Sequence, residues 1–297
     1  MRSKHLRRVI SLVLAFAMFI IFPMAFTLEA QAASTKTFYF RTSFKQVAKY
    51  STGDKDSYTT KSTYGKNGLI KTRTYSDGSK SVYTHDKYGY VKTEKSYDPN
   101  GKLDTTYSYV YKYGKNGLPK TEKQYMKIGS GKKELLGTST YTYYANKRYK
   151  KIIYKTEDGK ATSLYRKDGT QKSYTFKGKN GYSTKATYDS HGSTKTWIYT
   201  GDGYTSKENH TTLKYDKKGN IIKDVYTMKT IYGGDTYKSK CTETTKYTYD
   251  KHNNITKSVT KIKNTDSSGN TTVTTYTNTY KWKAIKVAKK YWHLFDY

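Results

Sequence analysis

From Thr35 onward, large aromatic and small polar side chains alternate. Tyr107, Tyr109, Tyr111 and Tyr113 take every second position, with Thr106, Ser108, Val110 and Lys112 between them. A period of two is that of a strand, whose successive side chains point to opposite faces. Tyr226, Met228, Thr230 and Tyr232 make a second stripe. Tyr276, Asn278, Tyr280 and Trp282 make a third, backed by Thr277, Thr279, Lys281 and Lys283. The pattern predicts strands with one aromatic face and one Thr/Lys face.

A recurring turn punctuates these strands. Tyr64-Gly65-Lys66-Asn67-Gly68-Leu69 returns unchanged as Tyr113-Gly114-Lys115-Asn116-Gly117-Leu118. Looser copies begin at His85, Tyr97, Tyr188, Tyr215 and Tyr249. In each, a strand ends on an aromatic residue, Asp or Gly opens a turn, and Gly or Asn four residues after the start accepts a positive φ. Asp77-Gly78, Asp158-Gly159, Asp168-Gly169 and Asn180-Gly181 supply two-residue hairpin signals between the copies.

Unequal spacing of the copies argues against a strict solenoid. The predicted fold is all-β: an antiparallel meander of Tyr/Thr-rich hairpins forming an extended, curved or partly open sheet over residues 33–280, without an internal domain boundary. In the remaining segment, 281–297, Trp282, Ile285, Ala288, Trp292 and Phe295 fall at roughly helical spacing. This predicts a short C-terminal helix that covers an open sheet edge or serves as a recognition tail.

Tyr215-Asp216-Lys217-Lys218-Gly219-Asn220-Ile221, with the copies at Tyr97, Tyr188 and Tyr249, resembles the YD repeat of bacterial RHS proteins and teneurins. The resemblance covers most of residues 60–262. It implies a secreted or cell-surface β structure, with carbohydrate binding or a toxin-associated structural role as family expectations. The chain is shorter than the large members and has no toxin-like or self-cleaving segment after Trp282, so the resemblance implies a freestanding β-sheet module.

The N-terminus reads Met-Arg-Ser-Lys-His-Leu-Arg-Arg, then an apolar run from Val9 to Phe26, then Ala30-Gln31-Ala32. That order predicts a signal peptide, 1–32, and export, with no membrane span after its cleavage. Composition then changes the picture in two ways. Lys and Arg number 56 against 23 Asp and Glu, and losing four basic and one acidic residue with the leader leaves about +30. Such an excess implies a polyanionic partner. Leu, Ile, Val, Phe and Met are only about an eighth of the mature chain, a composition that ordinarily warns of disorder. The 35 Tyr replace them as buried surface and favour strands, which predicts a thin, partly wet aromatic core.

Signs of chemistry are sparse. His85, His191, His210, His252 and His293 stand in no metal-ligand spacing, and Cys241 has no partner, so neither metal nor cofactor is expected. Asp77, Asp86, Asp98, Asp158, Asp168, Asp189, Asp216 and Asp250 sit where a side chain bonds its own turn. No nucleophile elbow, phosphate loop or paired-carboxylate motif is present, and no catalytic residue is assigned.

The expected function is therefore that of a secreted, non-catalytic binder of an anionic cell-wall polymer or glycan. Rows of Lys interleaved with Tyr suit phosphate or sulfate polymers and the apolar faces of sugars. No specific nucleic acid is expected as partner. The candidate binding residues are Tyr107, Tyr109, Tyr111, Lys281, Trp282 and Lys283. An exported enzyme acting on an acidic polysaccharide is the alternative, recognisable by Glu or His residues from different strands meeting in a concave, Tyr-lined groove.

Overall fold

In the computed structural model, which describes residues 35–295, the alternating segments are strands of one antiparallel sheet. The predicted leader, 1–32, lies outside the described residues. The first six strands are β1 (Thr35–Tyr50), β2 (Lys55–Tyr64), β3 (Ile70–Tyr75), β4 (Lys80–His85), β5 (Val91–Tyr97) and β6 (Leu103–Tyr113). Next come β7 (Pro119–Ile128), β8 (Glu134–Tyr143), β9 (Tyr149–Lys155), β10 (Gly159–Tyr165), β11 (Gln171–Gly178) and β12 (Ser183–Tyr188). The series ends with β13 (Thr194–Gly201), β14 (Tyr204–Tyr215), β15 (Ile221–Tyr232), β16 (Asp235–Tyr249), β17 (Ile255–Asp266) and β18 (Thr271–Ala288).

Each strand pairs with the next, and β18 pairs with β1 from Thr35↔Ala288 to Tyr50↔Thr274. The sheet is thus a closed barrel of 18 strands, which corrects the expectation of an open or partly open sheet. An open meander would leave two rows of unpaired N–H and C=O groups, and closure pairs them with each other. Among the described residues, strands come within 8 Å, Cα to Cα, only of their ring neighbours. A round barrel of this strand number is about 35 Å wide, beyond what wall side chains can fill.

The register decides which face is inside. Phe44 of β1 stands beside Thr60 of β2, and Thr60 beside Tyr75, the last residue of β3. Pairing therefore slides toward one rim from strand to strand, the stagger of tilted barrel strands. With the right-handed twist of L-peptide strands, this slide puts the Thr/Lys face outside and the Tyr face on the lumen. Ser81, Ser139, Ala161, Ala186, Ser206 and Ser258 are buried on the lumen face. At Gly137 an added Cβ would stand 2.6 Å from the Tyr154 ring, which lies over this glycine. The core is one aromatic layer along the wall.

Turns alternate between two rims. The eight that join β2–β3, β4–β5 and onward to β16–β17 share one rim and one hydrogen-bond pattern, as in Gly65 N to Leu69 O (2.8 Å) and Gly68 N to Gly65 O (3.0 Å). The fourth turn residue has positive φ, at Gly68 (77°), Gly117 (75°) and, without glycine, Lys147 (67°) and Asn253 (65°). Two of these turns, Tyr144–Arg148 and Arg166–Thr170, are copies the sequence motif did not reveal. Asp77-Gly78 and Asp168-Gly169 close through the same pattern rather than as two-residue turns. The copy at Tyr97 lies on the opposite rim.

The aspartates explain the Tyr-Asp pairing. Asp216 Oδ1 accepts the N–H groups of Lys218 (2.8 Å) and Asn220 (2.9 Å), while its Oδ2 accepts the hydroxyl of Tyr249, one repeat later. Tyr215 donates likewise to Asp189, and Tyr113 to Asp86. Each aspartate closes its own turn and ties it to the next hairpin. Burial would raise the Asp216 and Asp189 carboxyls, but these hydroxyl and backbone donors outweigh it and hold both below the usual carboxylate range.

Beyond Ser43↔Lys61 and Lys257↔Thr279, β1 and β18 have no outer neighbours and continue as a two-stranded ribbon past the rim. Trp282, Ile285 and Ala288 belong to this ribbon, so their helical spacing is not that of a helix. Strand pairing with β1 wins there, and only Lys289–Leu294 leaves the sheet, as a 3₁₀ turn. Phe38, Phe40 and Val287 form an aliphatic and aromatic cluster, with Tyr64, Ile285, Tyr291, Trp292 and Phe295 packed on it. It covers the rim at Gly68 and Gly89 instead of a sheet edge, since the ring has none.

Candidate polyanion-binding surface

Alternation sorts charge radially. In β14–β17 all ten lysines take outward positions, while Glu208, Asp224, Asp235, Glu243 and Asp266 take inward ones. Register then brings like charges together. Lys207 pairs with Lys229, and Lys229 with Lys238, a row of three across β14, β15 and β16. Lys155, Lys160 and Lys177 form a second such row across β9, β10 and β11. Directly opposed like charges destabilise a sheet. None of these six lysines forms an ion pair with a carboxylate, and all are exposed.

Next to the first row lies an open groove of about 720 Å³. Lys229, Lys238, Lys240 and Lys263 line it with the hydroxyls of Thr227, Thr242 and Thr265, and Asp266 stands at its end. Four ammonium groups against the single carboxylate of Asp266, with hydroxyls beside them, can replace the water around phosphate, sulfate or carboxylate oxygens.

Outward lysines also distinguish the β14–β17 wall from a lipid-facing one. A membrane-spanning barrel turns an apolar band to the lipid, and a lysine at the bilayer midplane costs about 2–4 kcal/mol. Here Lys and Thr occupy that side in every strand of β14–β17.

The sequence-predicted residues do not form one site. Tyr107, Tyr109 and Tyr111 line the lumen on β6, opposite Met126, Gln124 and Glu122. Burial raises the pKa of all three hydroxyls, with nearby glutamates adding to it, and Tyr111 donates to Val91 O (3.0 Å). Trp282 also faces inward and donates from Nε1 to Ile255 O (2.7 Å). Lys281 and Lys283 are exposed on the other face of β18. Strand parity separates these groups even where they are adjacent in sequence.

The lumen holds a cluster that sequence reasoning missed. His210 Nδ1 lies 2.9 Å from both oxygens of Asp224, its Nε2 makes no hydrogen bond, and Glu208 Oε2 is 3.9 Å from Nε2. The ring stacks on Tyr226, whose hydroxyl donates to Glu243 (3.3 Å). Burial disfavours the imidazolium, but the hydrogen bond to Asp224 and the charges of Asp224 and Glu208 prevail and raise its pKa. Burial, with the Asp224 charge, raises Glu243. Three strands contribute, so no local spacing could have exposed it; inward parity was the only available signal. Elsewhere on the lumen, buried Glu122 accepts from Tyr141 (2.7 Å), and burial raises its carboxyl.

No family model matches the chain, the YD repeat included, and no curated protein matches it. Among solved structures it is similar to a porin-like protein from Bacteroides uniformis, at 12% identity over 82% of this chain and 98% of that one, with a TM-score of 0.39. It is also similar to a TcdB2-TccC3-Cdc42 structure, at 14% identity over 73% of this chain and 15% of that one, with a TM-score of 0.24.

Proposed function

We propose that the protein is exported and binds, without catalysis, an extended anionic polymer of the cell envelope through the outer wall of its barrel. The observation that carries this reading is the Lys207–Lys229–Lys238 row, where register sets three unneutralised cations side by side above a hydroxyl-lined groove. Such a row opposes folding, and an anionic ligand relieves it. Solubility alone would be served equally by mixed charges.

A second reading, an exported enzyme acting on an acidic polysaccharide, draws on the lumenal meeting of His210, Glu208, Asp224 and Glu243 among tyrosines. One experiment separates the two. The mature chain is mixed with purified teichoic-acid-bearing walls, with walls stripped of that polymer, and with an acidic polysaccharide. Binding is measured against salt, and new reducing ends are assayed in the same mixtures. Salt-sensitive binding that disappears on stripping, without new ends, supports the binder. Salt-insensitive binding to stripped walls overturns it, and reducing ends that vanish in Glu243→Gln favour the enzyme.

A further inference from the structure

The repeat-bearing rim carries a feature of its own, apart from the outer wall. The second residue of every odd strand from β3 to β13 is a lysine: Lys71, Lys92, Lys120, Lys150, Lys172 and Lys195. Each follows the same turn, so all six hold one height on the rim and recur every second strand. At three of them the stem leans back over the turn. Lys71 Cε and Lys120 Cε lie 3.4 and 3.3 Å from where a Cβ on Gly65 or Gly114 would stand, and Lys150 Nζ is 5.9 Å from the ring of Tyr144, the equivalent turn residue. All six are exposed and none forms an ion pair with a carboxylate.

The charges around them differ between the two ends of the barrel. At this rim Asp86, Asp189 and Asp216 are committed to their own turns and to the next tyrosine. The opposite rim mixes exposed Asp54, Asp77, Glu157 and Asp235 with exposed Lys55, Lys132, Lys133 and Lys179. A polyanion is thus drawn more strongly to the repeat-bearing mouth than to the other.

We propose that the six lysines form a track that holds a linear polyanion along this rim. Two strand spacings in a tilted barrel make each step about 12 Å and the whole arc about 60 Å. The ligand class is therefore a flexible chain of phosphate charges long enough to span several steps; a short anion meets one lysine only. Multivalency supplies the affinity, so binding rises with chain length until the arc is filled. The inference rests on the polyanion reading above but on a different surface.

Long-chain inorganic polyphosphate and tripolyphosphate are the probes, titrated into the mature full chain over a salt series. Three variants accompany the parent: all six track lysines to Gln; Lys71→Gln, Lys120→Gln and Lys172→Gln together, which doubles the step; and Lys207→Gln, Lys229→Gln and Lys238→Gln on the outer wall. We expect the six-fold variant to bind long polyphosphate at least tenfold more weakly with a shallower salt slope, the three-lysine variant to fall between, and tripolyphosphate to bind weakly to the parent and the variants alike. The wall variant keeps its chain-length dependence. Circular dichroism and the melting midpoint establish folding, and the three-lysine variant keeps the test decisive if the six-fold one unfolds. Parent-like affinity and slope in the track variants overturn the track alone. A parent that binds no polyanion overturns both the track and the function proposed above.

Discussion

Lys229→Thr should stabilise this protein while weakening its binding, a combination unusual among substitutions. Lys229 faces two lysines in register, Lys207 and Lys238. Cross-strand like charges cost about 0.2–1 kcal/mol per pair, and exposure and salt reduce this. Relief of two pairs is then worth about 0.5–1 kcal/mol, and threonine, a good strand former already frequent on this face, keeps the backbone preference. For a domain of this size that raises the melting midpoint by about 1–4 °C at low salt. The gain should vanish in high salt, where the repulsion is screened. Polymer affinity should fall, and the slope of log affinity against log salt should lose about one unit. Calorimetry at two ionic strengths and a binding titration measure both. A midpoint that fails to rise at low salt refutes the argument from opposed charges, and undiminished affinity removes the row from the binding surface.

Two further outcomes follow from the rim. Gly68→Ala should cost about 2–4 kcal/mol, because φ is 77° and the new Cβ would stand 2.5 Å from Phe40 Cζ and 3.1 Å from Val287 Cγ2. Gly219→Ala, with φ of 81° and no atom within 4 Å, should cost about 1 kcal/mol, so urea midpoints of the pair separate packing from backbone strain. The pH profile should fall on both sides. Asp189, Asp216 and Asp250 have depressed pKa values, so their contribution is present above the unfolded pKa near 4 and is lost as pH drops below it. His210 has a raised pKa, so its contribution is present below about 6.5 and fades as pH climbs through its folded value. Melting midpoints should show a smaller acid loss in Tyr249→Phe and a smaller alkaline loss in His210→Gln; unchanged limbs would remove these groups from the pH response.

The amino-acid sequence alone determined what is local. Period two gave strands with a Tyr face and a Thr/Lys face, and Tyr-Asp-x-x-Gly marked turns whose fourth residue takes positive φ, as at Gly192 (83°) and Gly219 (81°). It also announced the charge excess, since composition needs no fold. Two repeat turns escaped because Lys147 replaces the expected glycine and Arg166 the expected aspartate, although their backbone bonds are the same. Tertiary structure decided everything that depends on register. Whether β18 meets β1 is a matter of accumulated stagger around 18 strands, which no segment encodes by itself. Closure turned the Tyr face into a lumen and kept Trp282 in a strand that helical spacing would have bent into a helix. Register likewise set Lys207 beside Lys229 and brought His210, Asp224 and Glu243 together from three strands. Residues far apart in the chain acquire a common chemistry only when backbone pairing fixes them about 5 Å apart on one face.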